Sequence, residues 1–434
     1  MKAECKVVIL GAGLAGLSAA YYLRGGYEIF EKENRCGGLC RSRSLRGFTF
    51  DMAGHLLHFK DRQNFLLSRE LLGDKFVKIS RNSWIWSYHR FIRYPFQSNL
   101  YGLPPRVVRE CLEGFKKTQN KHKKSYGDRD ASFRTWLLEM FGEGMAKHFL
   151  FPYNKKFWKF PLERLNAQGV RQWIPVPSLK DVQEGAFKKS KKEMGYNAHF
   201  WYPRQGGIQV LTDALEKRVK KVHRLCEAIK LDLKKKEVFL KSGLRIRFEK
   251  LISTIPLPEL ARILVPLPED VRRAFLKLKY ISVLNLNLGL SKKLDEDKHW
   301  IYFPQRNISF YRCGIATNFS GSLAPAGCSS LYFEISYSKD HPADKNHLLE
   351  RVLGDCQKAR FCLMKKDVLV TDLNDIKYAY CLYDEERAHA LGVIQPFLKK
   401  HGIFSIGRYG GWQYASMEDV MAQARHTAYT ILKQ

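Results

Sequence analysis

A strand that runs straight into a glycine-rich turn and then a helix leaves a chain few architectures to choose from. Residues 6–24, KVVILGAGLAGLSAAYYLR, spell out such a unit. Val7 to Leu10 form the unbroken apolar run that a parallel strand buried on both faces requires. Gly11, Gly13 and Gly16 then give the GxGxxG spacing, and Ser18 to Leu23 continue as a helix. The first glycine permits the tight turn, and the second brings the backbone against a pyrophosphate. The third packs helix on strand, and the helix N-terminus faces the anion. A second strand, Tyr27 to Phe30, ends at Glu31, 20 residues after Gly11. A carboxylate there accepts from the ribose hydroxyls of an adenosine. The expectation is an α/β chain with a Rossmann-like dinucleotide-binding domain.

The next stretch separates FAD from NAD. Arg35 is followed by Gly37 and Gly38, an RxGG segment. It resembles the one that FAD enzymes of the amine oxidase and mutase group lay along the cofactor's diphosphate, and a one-domain nicotinamide dehydrogenase has no use for it. FTFDMAGHLLH then alternates like a strand and delivers Gly54 and His55. Near the other end, IFSIGRYGGWQYASMEDVMAQARHTAYTIL reads as a strand, a glycine turn carrying Arg408, and a helix. That helix would aim its N-terminus at the flavin and favour an anionic reduced ring. The FAD-binding fold is therefore expected to be discontinuous, in residues 1–92, 196–260 and 376–434. Amphipathic periodicity places a helical subdomain at 93–195, with Pro104-Pro105 opening a helix. Alternating and aromatic-rich runs such as KYISVLNLNLGL and SSLYFEISYS place a β-sheet subdomain at 261–375.

Composition narrows the surroundings. At 434 residues the chain exceeds one ordinary domain. No apolar run reaches the ~18 residues of a membrane span. Lys2 and Lys6 before an apolar stretch imitate a signal peptide, but glycines interrupt it and no small-residue cleavage site follows. The ten cysteines are scattered, Cys36 and Cys40 being the close pair, which argues against zinc and for reduced thiols in a cytoplasmic setting. Lys and Arg exceed Asp and Glu by 31. The excess lies in short clusters at 116–124, 188–192 and 234–236, and no nucleic-acid motif accompanies it. A basic surface, or a funnel for a diphosphate ligand, is the expectation, with no nucleic acid and no metal.

Several separated motifs resemble UDP-galactopyranose mutases, closer to the eukaryotic branch than to the bacterial one. RYPFQSNL is similar to that family's uridine-contacting stretch and implies Tyr94 and Gln97. FPYNKKFWKFP implies Asn154 and Trp158, and QGVRQWIPVPSLK places Arg171 as a diphosphate arginine. NAHFWYPRQGG implies Asn197, IYFPQRNISFYR implies Tyr302 and the second arginine Arg312, and KYAYCLYD implies Tyr380. GRYGGWQY implies Arg408 beside the flavin and Tyr414 beside the phosphates. The family interconverts sugar pyranose and furanose forms without net redox change, using reduced flavin as the nucleophile. The resemblance therefore implies FAD kept reduced by NAD(P)H or another reductant, a UDP-sugar substrate, and a possible homo-oligomer. His55 would stand near the flavin, with Arg171 and Arg312 retaining the departing diphosphate. Paired guanidinium groups suit a diphosphate in any case, and tyrosine hydroxyls add neutral donors. Taken singly, Tyr302, Tyr380 and Trp158 also suit a core, Arg171 and Arg312 also suit ion pairs, and His55 also suits a buried, satisfied site. The family's glycine pair before the histidine is Ala53-Gly54 here. The same scaffold serves FAD oxidases and desaturases, such as protoporphyrinogen and amine oxidases, which would want an apolar or amine-binding cavity. A descendant that only binds FAD is a third reading.

Overall fold

The computed structural model describes residues 2–119, 131–189, 194–195, 197–361 and 363–434, so parts of the basic clusters at 116–124 and 188–192 lie outside the described residues. Two sheets organise the chain. The first runs in the order Leu264–Val265, Ala228–Asp232, Glu237–Leu240, Arg245–Ser253, Lys2–Leu10, Tyr27–Phe30, Val222–His223, with Ile403–Ser405 also beside Arg245–Ser253. Lys2–Leu10 pairs in parallel with both neighbours, and Val8 and Ile9 are fully buried, as the apolar run required. The helix Leu14–Leu23 lies against the C-terminal helix Met417–Leu432, so the two ends of the chain form one layer.

The second sheet runs Val368–Cys381, Tyr280–Leu290, Ser329–Tyr337, Arg312–Ile315, Trp300–Tyr302, Ser83–Ser87, Arg90–Arg93. Two expected boundaries differ from this arrangement. Residues 83–92, assigned to the first part of the FAD fold, form a hairpin that joins the second sheet through Trp300–Tyr302. Trp86 is buried in that sheet's apolar core and Phe91 packs against Phe361, which holds the hairpin there. Val368–Cys381 crosses the expected boundary at 375/376 as one continuous strand along Tyr280–Leu290.

The helical subdomain is built on Pro105–Gln119, Phe133–Met145, Phe151–Trp158 and Leu179–Phe187. The first two of these cross so closely that a Cβ on Gly144 would stand 2.2 Å from the Glu110 carbonyl oxygen. Among the described residues no helix is long and apolar enough to cross a membrane, and no cluster of candidate metal ligands occurs.

Candidate active site

A cavity of about 1210 Å³ runs between the two sheets and the helical subdomain. Ligand pockets usually occupy roughly 300–1,000 Å³, so this one has room for a dinucleotide and a second ligand.

One end is the dinucleotide cradle. Gly11 has φ +96, and a Cβ on Gly16 would stand 2.0 Å from the Gly11 carbonyl oxygen, so strand and helix meet with no space for a side chain. Gly37 and Gly38, at φ +112 and +58, lie beside Gly13, and the Gly37 N–H donates to Ala12 O at 2.9 Å. Glu31 is buried; its Oε2 accepts from Ala12 N at 2.8 Å and its Oε1 from Glu33 N at 3.0 Å. Gly11, Gly13, Glu31, Gly37 and Gly38 all line the cavity, while Gly16 acts beneath it. From the far end of the chain, Ser416, Met417 and Val420 reach the same cavity, and a capping box between Ser416 and Asp419 opens the last helix there. A dinucleotide fits this set: a backbone with no Cβ for the pyrophosphate and a carboxylate for the ribose.

The turn after strand Phe48–Asp51 carries Gly54 and His55 into the cavity. Ala53 takes a left-handed φ of +65, and its N–H donates to Asn285 Oδ1 at 3.0 Å. A Cβ on Gly54 would meet the Tyr332 hydroxyl at 2.6 Å. His55 Nδ1 lies 3.4 Å from Ala53 O. Burial holds its imidazole down to about 4, and the Arg408 and Arg312 cations push the same way, so it is neutral at pH 7.

At the other end the lining is aromatic and hydroxyl-rich. Tyr94 packs on Tyr302 with ring centroids 5.0 Å apart, and Tyr380 packs on Tyr414 at 5.3 Å. The Arg408 guanidinium lies 4.8 Å from the Tyr380 ring and 4.7 Å from that of Tyr414, and it donates to Ala415 O and Ala379 O. Trp158 is buried against Tyr380, and Asn154 donates to Leu150 O at 2.8 Å. Gln97 donates to Pro175 O at 2.8 Å, leaving its Oε1 without a partner among the described residues.

Arg312 stands at the centre with 21% of its side chain exposed. Its Nε and Nη2 donate to the two oxygens of Glu334, at 3.0 and 2.7 Å. Glu334 is almost wholly buried and also accepts from Tyr311 OH and from Gly54 N at 3.3 Å.

Of the residues singled out from sequence, Tyr94, Gln97, Asn154, Trp158, Asn197, Tyr302, Arg312, Tyr380, Arg408 and Tyr414 line this one cavity together with His55 and Gly54. Arg171 differs. Its short turn Arg171–Trp173 presents Trp173 to the cavity, and Arg171 is not among the lining side chains. Two residues apart on a tight helical turn point in different directions, and Trp173, packed on Tyr414 at 5.0 Å, takes the inner one.

Sequence reasoning passed over Arg81 and Glu334. Arg81 is buried, lies 4.8 Å from the Tyr94 ring, and donates to Asn197 Oδ1. Glu334 carried a readable signal, the sole charge in the strand SSLYFEISY.

Comparison with known proteins agrees with the cradle. The family model described as flavin containing amine oxidoreductase matches residues 14–432. The structure of reduced UDP-galactopyranose mutase superposes with a TM-score of 0.92 at 26% identity, over 99% of this chain and 96% of that one. Putrescine oxidase bound to putrescine superposes at 0.69 with 17% identity, over all of both chains, which shows a shared fold. The zeta-carotene-forming phytoene desaturase of Myxococcus xanthus is 22% identical over 399 residues, 78% of this chain and 73% of that protein.

Proposed function

The chain belongs to the flavin-containing amine oxidoreductase family, and from that premise we propose that it is an FAD-dependent mutase interconverting the pyranose and furanose forms of a UDP-hexose, UDP-galactose by default. The observation that carries the proposal is the lining of the cavity: Arg312 and a ring of tyrosines, suited to a diphosphate, next to a flavin cradle that includes Arg408. Likeness to a mutase along the whole chain supports it.

When bound and reduced, FAD supplies a nucleophile for the sugar's anomeric carbon. The remaining work falls to the protein. The end-on Nη1 edge of Arg312 offers N–H donors to the diphosphate, and the hydroxyls of Tyr302, Tyr380 and Tyr414 orient the same oxygens. Holding the departed diphosphate beside the sugar turns its return into an intramolecular event, which removes the entropy cost of recapture from solution. Tyr94 and Trp158 supply flat faces for the base, and Gln97, Asn154 and Asn197 supply amides for its edge and the phosphates. A neutral His55 beside the flavin leaves the reduced ring's negative charge to Arg408 and the last helix. NAD(P)H or another reductant is the proposed source of reducing equivalents.

An oxidase or desaturase is the second reading, favoured by the desaturase relative. A hydrocarbon substrate gains nothing from a buried Arg312–Glu334 pair, however, and such a pair costs desolvation. Oxygen uptake measured alongside chromatography of the sugar nucleotide separates the two. A mutase converts UDP-galactose only after dithionite or NAD(P)H reduces the flavin, without stoichiometric consumption of reductant. Oxygen uptake in step with substrate loss would overturn the mutase reading.

A further inference from the structure

Arg312 meets any ligand with part of its hydrogen-bonding capacity already committed. Of its two bidentate edges, the one formed by Nε and Nη2 is closed on Glu334, and the Nη1 side makes no hydrogen bond among the described residues. We propose that Glu334 is a counter-charge that limits how tightly the site grips a diphosphate, so that the anion can be released as well as held. The inference rests on the mutase reading above.

Glu334 lies on strand Ser329–Tyr337 directly opposite Arg312 in the antiparallel pairing, so the backbone register itself sets carboxylate against guanidinium. The carboxylate is 1% exposed, which leaves it almost no water to screen it. Its other two donors are the Tyr311 hydroxyl and the Gly54 N–H. Gly54 precedes His55, so one carboxylate anchors both Arg312 and the turn that carries His55 into the cavity.

A phosphate on the open edge of Arg312 would stand roughly one guanidinium width, ~6 Å, from that carboxylate. At an effective dielectric near 20 such a pair of like charges costs about two decades of affinity, and partial screening brings this to between roughly tenfold and a hundredfold. The reaction gives that cost a purpose. A diphosphate that must leave a carbon, wait and return gains nothing from being bound equally well in every state. A cation with no counter-charge would hold the separated anion, and later the product, too firmly.

The test is calorimetric titration of UDP into the purified FAD-bound protein, comparing wild type, Glu334→Gln and Glu334→Asp. Glu334→Gln removes the charge and should bind UDP about tenfold more tightly or better, with a lower kcat because release slows. Glu334→Asp keeps the charge and should stay within about threefold of wild type in UDP affinity. A purely structural carboxylate predicts the opposite sign, since losing it would let Arg312 drift. UDP bound by the Gln variant with equal or weaker affinity than by wild type therefore overturns the proposal. Should Glu334→Gln fail to fold, Tyr311→Phe reports on the same charge. With one donor fewer the carboxylate is less compensated, so UDP binding should weaken about threefold, and unchanged or tighter binding overturns the idea. Failure of wild type to bind UDP takes down the mutase reading and this inference together. Wild-type binding without gain in the Gln variant removes this inference alone.

Discussion

Replacing Arg312 with Ala should destabilise the whole protein, not only its ligand binding. Were Arg312 only a grip on the diphosphate, its loss would lower UDP affinity and leave folding intact. The ion pair changes that expectation. Glu334 is 1% exposed and takes two of its four hydrogen bonds from Arg312. Removing one partner of a buried ion pair typically costs ~3–5 kcal/mol, because a charge is left without compensation. Here Tyr311 OH and Gly54 N still donate to Glu334, and Arg312 retains 21% exposure, so the lower part of that range applies. A loss of about 3 kcal/mol should lower the urea midpoint by roughly 1 M for a slope near 3 kcal/mol/M. Urea unfolding followed by tryptophan fluorescence measures it. The double replacement Arg312→Leu with Glu334→Leu removes both charges and should recover most of the loss seen in Arg312→Leu alone, giving a large coupling energy once Glu334→Leu completes the double-mutant cycle. An unchanged midpoint for Arg312→Ala alone would refute the reasoning.

Two further outcomes follow from the cradle and the buried histidines. Glu31→Arg deletes the acceptor for Ala12 N and Glu33 N and sets a cation where ribose hydroxyls need an acceptor, so the protein should be purified without flavin absorbance near 450 nm; retention of stoichiometric flavin would contradict the assignment of this end. Burial holds His55, His58 and His299 down to about 4, against an ordinary value of 6.5. The unfolded chain therefore takes up protons that the folded one refuses, and each histidine should withdraw up to ~3 kcal/mol of stability as pH falls from 6.5 to 4. Burial raises Asp51 to about 6, which works in the opposite direction over that window and offsets part of the loss. His58→Gln should flatten the acid limb of a plot of unfolding midpoint against pH, and an unaltered limb would show that His58 titrates normally.

The parts legible in the sequence are those where local chemistry and final position coincide. Gly11, Gly13 and Gly16 announce a strand–turn–helix because the glycines that shape the turn also build the cradle, Gly11 and Gly13 lining it and Gly16 packing helix on strand beneath. The C-terminal strand and helix were legible for a similar reason, an apolar run leading into the glycine turn that carries Arg408. What stayed hidden depends on long-range pairing. Nothing local in 83–93 says that this hairpin pairs with Trp300–Tyr302, since either sheet would accept its apolar alternation. Arg312 was found but its partner was not, because a strand register 22 residues long in sequence separation sets Glu334 opposite it. Arg171 and Trp173 share a single turn, and a motif match cannot see that Trp173 is the one that lines the cavity.

The layer shared by the two ends of the chain has a consequence for how the protein is made. Gly11 and Gly13 line the same cavity as Gly407 and Ser416. At a translation rate of ~5–20 residues per second, the pyrophosphate loop leaves the ribosome roughly 20–80 s before the segment that completes its site. For roughly the first 12–50 s of that interval the strand Lys2–Leu10 has Tyr27–Phe30 on one side, while its other partner, Arg245–Ser253, has yet to be made. The nascent chain thus carries an unpaired apolar strand edge, a template for mispairing with other chains. The cavity thus draws its walls from both ends of the chain, and the cradle built by the early glycines is completed only when Gly407 to Val420 have been added.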